Sequence, residues 1–71
     1  MKIQYDPEVD ALSIIFRKTT VTTKELADGI CADYDSDGCL AGLEILDAKS
    51  RFAGSDPFKS VEFEGLMPVT V

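Results

Sequence analysis

From Lys2 to Leu46 the chain repeats one pattern, short runs of alternating apolar and polar residues separated by clusters of Asp, Gly and Pro. Alternation at period two puts successive side chains on opposite faces of an extended segment, so each run predicts a strand with one face turned to a core. Lys2-Ile3-Gln4-Tyr5 is the first run. Asp6-Pro7-Glu8-Val9-Asp10 follows with turn chemistry, because Pro7 fixes φ and Asp side chains bond nearby amides. From Ala11 to Arg17, Leu12, Ile14 and Phe16 share a face, and the two runs together predict a hairpin.

Val21 to Glu25 is rich in β-branched residues and polar on both faces, which suits an edge strand. Ala27-Asp28-Gly29 predicts a turn. Ile30, Ala32 and Tyr34 then take one face and Cys31 and Asp33 the other; after Asp35-Ser36-Asp37-Gly38, Ala41, Leu43 and Ile45 oppose Gly42 and Glu44. A loop of Ser36-Asp37-Gly38 with Gly38 at positive φ would pair residue 35 with 39 and residue 33 with 41. Asp47 reads as the cap of a short helix near 47–53. Asp56-Pro57 could start a second helix, but Val61-Glu62-Phe63-Glu64 alternates, which favours a C-terminal strand. The expected fold is a mostly β, small α+β domain over 1–71: an antiparallel sheet of about four to five strands built from hairpins, with one short helix.

A chain of 71 residues buries only about 60% of the surface its unfolded form exposes, so its core must be thin. No apolar run approaches the roughly 20 residues that cross a bilayer, and the opening residues lack a signal-peptide layout, so no membrane partner and a cytoplasmic location are expected. Thirteen acids against seven bases disfavour nucleic acid, which is gripped by clustered Lys and Arg. The excess is concentrated in Glu25, Asp28, Asp33, Asp35, Asp37, Glu44 and Asp47, a stretch without a base. Such a face serves solubility, a cation or a basic partner. Residue 31 should lie opposite a residue near 43, too far from Cys39 for a disulfide, so both cysteines read as free thiols.

Asp33-x-Asp35-x-Asp37-Gly38-x5-Glu44 matches the calcium-loop pattern at every specified position. That pattern works between two helices, whereas here both flanks alternate as strands do. A hairpin turn explains the same residues, leaving Asp33, Asp35 and Asp37 as weak metal candidates only. Catalysis has less support still. The chain has no His, its many carboxylates will pair by chance, and no nucleophile elbow, phosphate loop or dinucleotide fingerprint occurs. Tyr5 and Asp6 beside Asp10 read as a packed aromatic next to a capped turn, so no catalytic residue and no cofactor are expected.

Tyr5-Asp6-Pro7-Glu8-x-Asp10-Ala11-Leu12-x-Ile14, followed by Asp33-Tyr34-Asp35-x-Asp37-Gly38-x-x-x-Gly42-Leu43-Glu44-Ile45-Leu46-Asp47-Ala48, resembles a widespread family of short prokaryotic proteins classed as a domain of unknown function. The resemblance covers residues 1–49 and leaves 50–71 as an extension, and Ser13 departs from an aromatic residue at that position. It implies a small antiparallel β domain with a short helix, and no established activity, ligand or catalytic residue. Family members encoded beside small toxin-like proteins suggest an antitoxin-like role against a basic toxin. The residues themselves favour a non-enzymatic interaction or self-assembly module, a homodimer held through a polar sheet edge at 21–25 and the apolar tail residues Leu66, Met67, Val69 and Val71. Weak divalent-cation binding at the 33–37 turn is the third reading.

Overall fold

Each strand expected between Lys2 and Leu46 forms. The computed structural model describes residues 1–52, 59–62 and 64–65. They form β1 (Lys2–Asp6), β2 (Ala11–Ile15), β3 (Thr22–Ala27), β4 (Ile30–Tyr34) and β5 (Leu40–Ile45), followed by the helical turn α1 (Ala48–Arg51). All five strands join one antiparallel sheet in the order β1-β2-β5-β4-β3. The β1–β2 hairpin and the β3–β4–β5 meander meet where β2 pairs with β5, Leu12 opposite Ile45 and Ile14 opposite Leu43. These apolar cross-strand pairs supply the side-chain contact that holds two sequence-distant halves together.

Register assigns every side chain to a face. Ile3, Tyr5, Leu12, Ile14, Leu43, Ile45, Ile30, Ala32 and Tyr34 share one face, as the alternation predicts. The other face carries a row of Gln4, Ser13, Glu44, Cys31 and Glu25, and beside it Lys2, Ile15, Gly42, Asp33 and Thr23. β3 lies at a sheet edge with all of its residues exposed, as its polar composition implies. Among the described residues the buried apolar set is Leu12, Ala32, Ala41 and Ala48, so the core is thin.

The β4–β5 loop closes as expected on one side and shifts on the other. Asp35 N–H donates to the Cys39 carbonyl at 2.9 Å, and Gly38, at φ +81°, donates to the Asp35 carbonyl at 3.0 Å. Residue 33, however, pairs with Gly42 rather than with 41, because a bulge between Asp33 and Tyr34 absorbs one residue of β5. Cys31 accordingly faces Glu44, and both cysteines are free.

The helix also departs from expectation. Asp47 stands at its N-cap position in the left-handed region, φ 53°, and its side chain makes no cap hydrogen bond. The cap comes instead from the β1–β2 turn: the Asp10 carbonyl accepts Ala48 N–H at 3.0 Å and its carboxylate accepts Lys49 N–H at 3.1 Å. The first amides of a helix need any well-placed acceptor, local or distant. The C-terminal strand is not found in the described part of its range: Val61, Glu62 and Glu64 lie outside any strand. Phe63 and the tail residues Leu66, Met67, Val69 and Val71 lie outside the described residues. Among the described residues no helix is long and apolar enough to cross a membrane.

Arg51 fastens α1 to two strand ends. Its Nε donates to the Leu46 carbonyl at 2.6 Å and its Nη2 to the Asp28 carbonyl. The guanidinium lies over Gly29, where a Cβ would fall 2.2 Å from Nη2, and Gly29 also holds φ +78°. Gly38 has a similar φ and open space around its Cα. Both Gly29→Ala and Gly38→Ala should lose about 1–2 kcal/mol to left-handed strain in urea titration. Gly29→Ala should lose more, and an Arg51→Ala background should remove the excess; equal losses from the two substitutions would contradict the packing.

Candidate functional site

Three polar clusters occupy the residues that the sequence singles out. The first centres on Asp10, held at φ 54° by its turn. Tyr5, on the neighbouring end of β1, donates its hydroxyl to Asp10 Oδ1 at 2.6 Å, and the same oxygen accepts Lys49 N–H. Asp6 closes the turn by accepting Glu8 N–H at 3.0 Å. The bond to Asp10, reinforced by burial and by the charges of Asp10 and Asp6, pushes the Tyr5 phenol up to about 12. A phenol held that high is a poor proton donor near neutral pH, and the carboxylate beside it is occupied by a helix amide. The cluster joins β1, its turn and α1, and its chemistry is that of a structural lock.

The second cluster is the 35–39 turn. Asp35 Oδ1 accepts the amides of Asp37 and Cys39, both at 2.9 Å, and Oδ2 accepts Arg17 Nη2 at 2.6 Å. The Asp35 side chain is only 7% exposed, against 63% for Arg17. The Cys39 amide above all, with the Asp37 amide and Arg17, holds the Asp35 carboxyl below its ordinary value despite its burial. Arg17 lies 18 residues away, so no local motif announces this partner.

The third cluster lies on the polar face. Thr23 donates to Asp33 Oδ1 at 2.6 Å, and Glu44, across from Cys31, shares a side-chain hydrogen bond with Asp33. Gly42 makes room for it: a Cβ there would stand 3.2 Å from Asp33 Oδ2 and 3.0 Å from the Ile14 carbonyl. The bond to Asp33, then burial and the Asp33 charge, raise the Glu44 carboxyl. Burial raises the Cys31 thiol, helped by Glu25, Glu44 and Asp33, so it stays protonated near neutral pH and is a poor nucleophile.

The calcium-loop pattern is thereby divided between clusters. Asp33 and Glu44 share a bond on the sheet face, while Asp35 is turned into its own loop and spends both oxygens there. Among the described residues no group of three or more Asp, Glu or Cys side chains could hold a metal ion.

Two measurements check these roles. Asp10→Ala, which removes an acceptor from a helix amide and from Tyr5, should cost about 1–3 kcal/mol. In a Tyr34→Phe background the ultraviolet titration of Tyr5 should fall back from about 12 toward the ordinary phenol value. An unchanged titration would place the cause elsewhere. For Glu44 the folded chain holds the proton more tightly than the unfolded one, so its stability contribution falls as pH rises from the ordinary Glu value through the raised one. Glu44→Gln should therefore stabilise at pH 7 relative to the parent and lose that advantage at pH 4. A Glu44→Gln chain that is less stable at both pH values would show that the carboxylate is favourably bound.

No curated protein and no solved structure matches this chain. A family described as a protein of unknown function (DUF2283) matches residues 2–49, a stretch that opens with β1 and ends at the Lys49 amide held by Asp10. The chain covers that match with five strands and the start of the helix, and it belongs to the DUF2283 family of proteins of unknown function.

Proposed function

We propose that the protein is a non-enzymatic interaction module that works as a homodimer in the cytoplasm. The observation that carries this reading is how little a single sheet buries. Among the described residues Leu12, 8% exposed, is the only buried apolar residue larger than alanine, and no large side chain is fully buried. Val21, Leu26, Leu40, Leu46 and Val61 are between 38% and 57% exposed. Covering such surface is worth roughly 25 cal/mol per Å², which favours a second chain as the missing layer. The tail residues Leu66, Met67, Val69 and Val71 belong to this reading as further apolar cover. The free thiols Cys31 and Cys39 are in keeping with a reducing compartment.

The site chemistry favours binding over catalysis, since Tyr5 and Cys31 are both shifted away from proton transfer and nucleophilic attack near pH 7. A second reading draws on the polar face. Glu25, Asp33 and Glu44 stand together there, which suits an antitoxin-like contact with a basic protein.

Light scattering of the full chain at micromolar concentration should give twice the 7.7 kDa chain mass. A monomer mass across that range would sink the homodimer reading and leave the basic-partner reading standing.

A further inference from the structure

The sheet ends in β1 on one side and β3 on the other, and among the described residues β1 has a strand on one side only. An end strand offers its outer edge to another chain. Every residue of β1 except Tyr5 is exposed. Lys2, Gln4 and Asp6 share one face of the strand, Ile3 and Tyr5 the other.

Lys2 and Asp6 carry opposite charges at the two ends of β1. At roughly 3.3 Å per residue they stand about 13 Å apart, too far to pair within the strand. Opposite them on β2 lie Ile15 and Ala11, which carry no charge. Among the described residues the ion pair is Arg17–Asp35, so neither Lys2 nor Asp6 has one there. A second β1 running the other way brings each charge to the end that holds its opposite.

Symmetry narrows the register. Residues directly opposite in an antiparallel pair share a face, and a two-fold axis normal to the sheet keeps like faces together, so the axis passes through a residue and not between two. With Gln4 on the axis, Lys2 meets Asp6 twice, Ile3 meets Tyr5 twice, and the two Gln4 side chains meet each other. Each amide holds a donor and an acceptor, so that central pair is self-complementary. Centring on Ile3 or Tyr5 instead sets Lys2 or Asp6 against Gln4 and leaves the charges unmatched. The other end strand has no equivalent: in β3 no allowed register sets Lys24 opposite Glu25, centring on either sets like charges face to face, and the strand carries a register shift between Glu25 and Ala27.

We propose that two copies join edge to edge through β1, antiparallel, with Gln4 on the two-fold axis, so that two five-stranded sheets become one. Two Lys2–Asp6 ion pairs and two Ile3–Tyr5 contacts flank the amide pair, and an aromatic against a β-branched side chain is a favourable cross-strand partner. Ile3, 38% exposed in the single chain, gains cover. Tyr5 keeps its hydroxyl on Asp10, and Asp6 keeps the Glu8 amide on Oδ1 while Oδ2 meets Lys2. This inference rests on the homodimer reading and names the edge through which it forms.

Gln4→Glu and Gln4→Lys test it, because each sets like charges against each other on the axis at an exposed position. Circular dichroism first confirms that each folds. In sedimentation equilibrium each alone should dimerise about three- to fivefold more weakly than the parent. Gln4→Lys also lowers the net charge from −6 to −5, so overall repulsion alone would tighten that dimer. Mixed, the two variants should form a heterodimer at parental affinity or better, since Glu then meets Lys. Lys2→Glu, which makes both contacts with Asp6 repulsive, should weaken dimerisation on the order of tenfold. Gln4→Lys or Lys2→Glu dimerising as tightly as the parent would overturn this interface and leave the homodimer reading intact. Weakened Gln4 variants that fail to pair on mixing would overturn it too, since position 4 would then not face itself. A monomeric parent would remove the homodimer reading itself.

Discussion

One aspartate organises this fold. Asp10 occupies the left-handed region at φ 54°, a conformation that a non-glycine residue adopts at some cost and Asp tolerates better than most. In that position its carboxylate accepts the Tyr5 hydroxyl and the Lys49 amide while its carbonyl accepts the Ala48 amide. A turn residue thus caps a helix 39 residues later in the chain and locks it beside the end of β1. The helix is a single turn, far too short to persist alone, so it exists because the sheet supplies its cap. Arg51 returns the connection by bonding the carbonyls of Leu46 and Asp28 at the same end of the sheet.

The second constraint is thickness. A five-stranded sheet with one helical turn at its end offers its apolar face little cover among the described residues, and the buried apolar residues there are Leu12 and three alanines. Small domains meet this limit generally, because surface grows relative to volume as chains shorten. The homodimer reading follows from it, and the polar clusters fit the same picture. Each one ties strands or loops together through hydrogen bonds among its own side chains and nearby amides.

Much of this was legible in the sequence. Period-two alternation located β1, β2, β4 and β5 and their faces, because a half-buried sheet forces that pattern, while β-branched content located β3. Gly38 followed from turn chemistry, and the edge position of β3 from its polar residues. What alternation cannot carry is partnership at long range. The Asp33–Tyr34 bulge moved residue 33 from 41 to Gly42, since a bulge inserts a residue without altering local composition. Asp47 looked like the cap because caps are usually local, whereas Asp10 does the capping. The segment that carries Asp33, Asp35, Asp37 and Glu44 forms the hairpin its alternating flanks predict, yet the Asp33–Glu44 pairing and the Arg17–Asp35 bridge appear only once strands are in register.

The role of Asp10 as the tie between sheet and helix is tested most directly by native-state hydrogen exchange of the full chain at neutral pH. If the cap from the turn holds α1 to the sheet, the Ala48 and Lys49 amides exchange slowly and open together with the amides of β5. Ala48 and Lys49 exchanging at the rates of an unstructured chain, with β5 still protected, would contradict it.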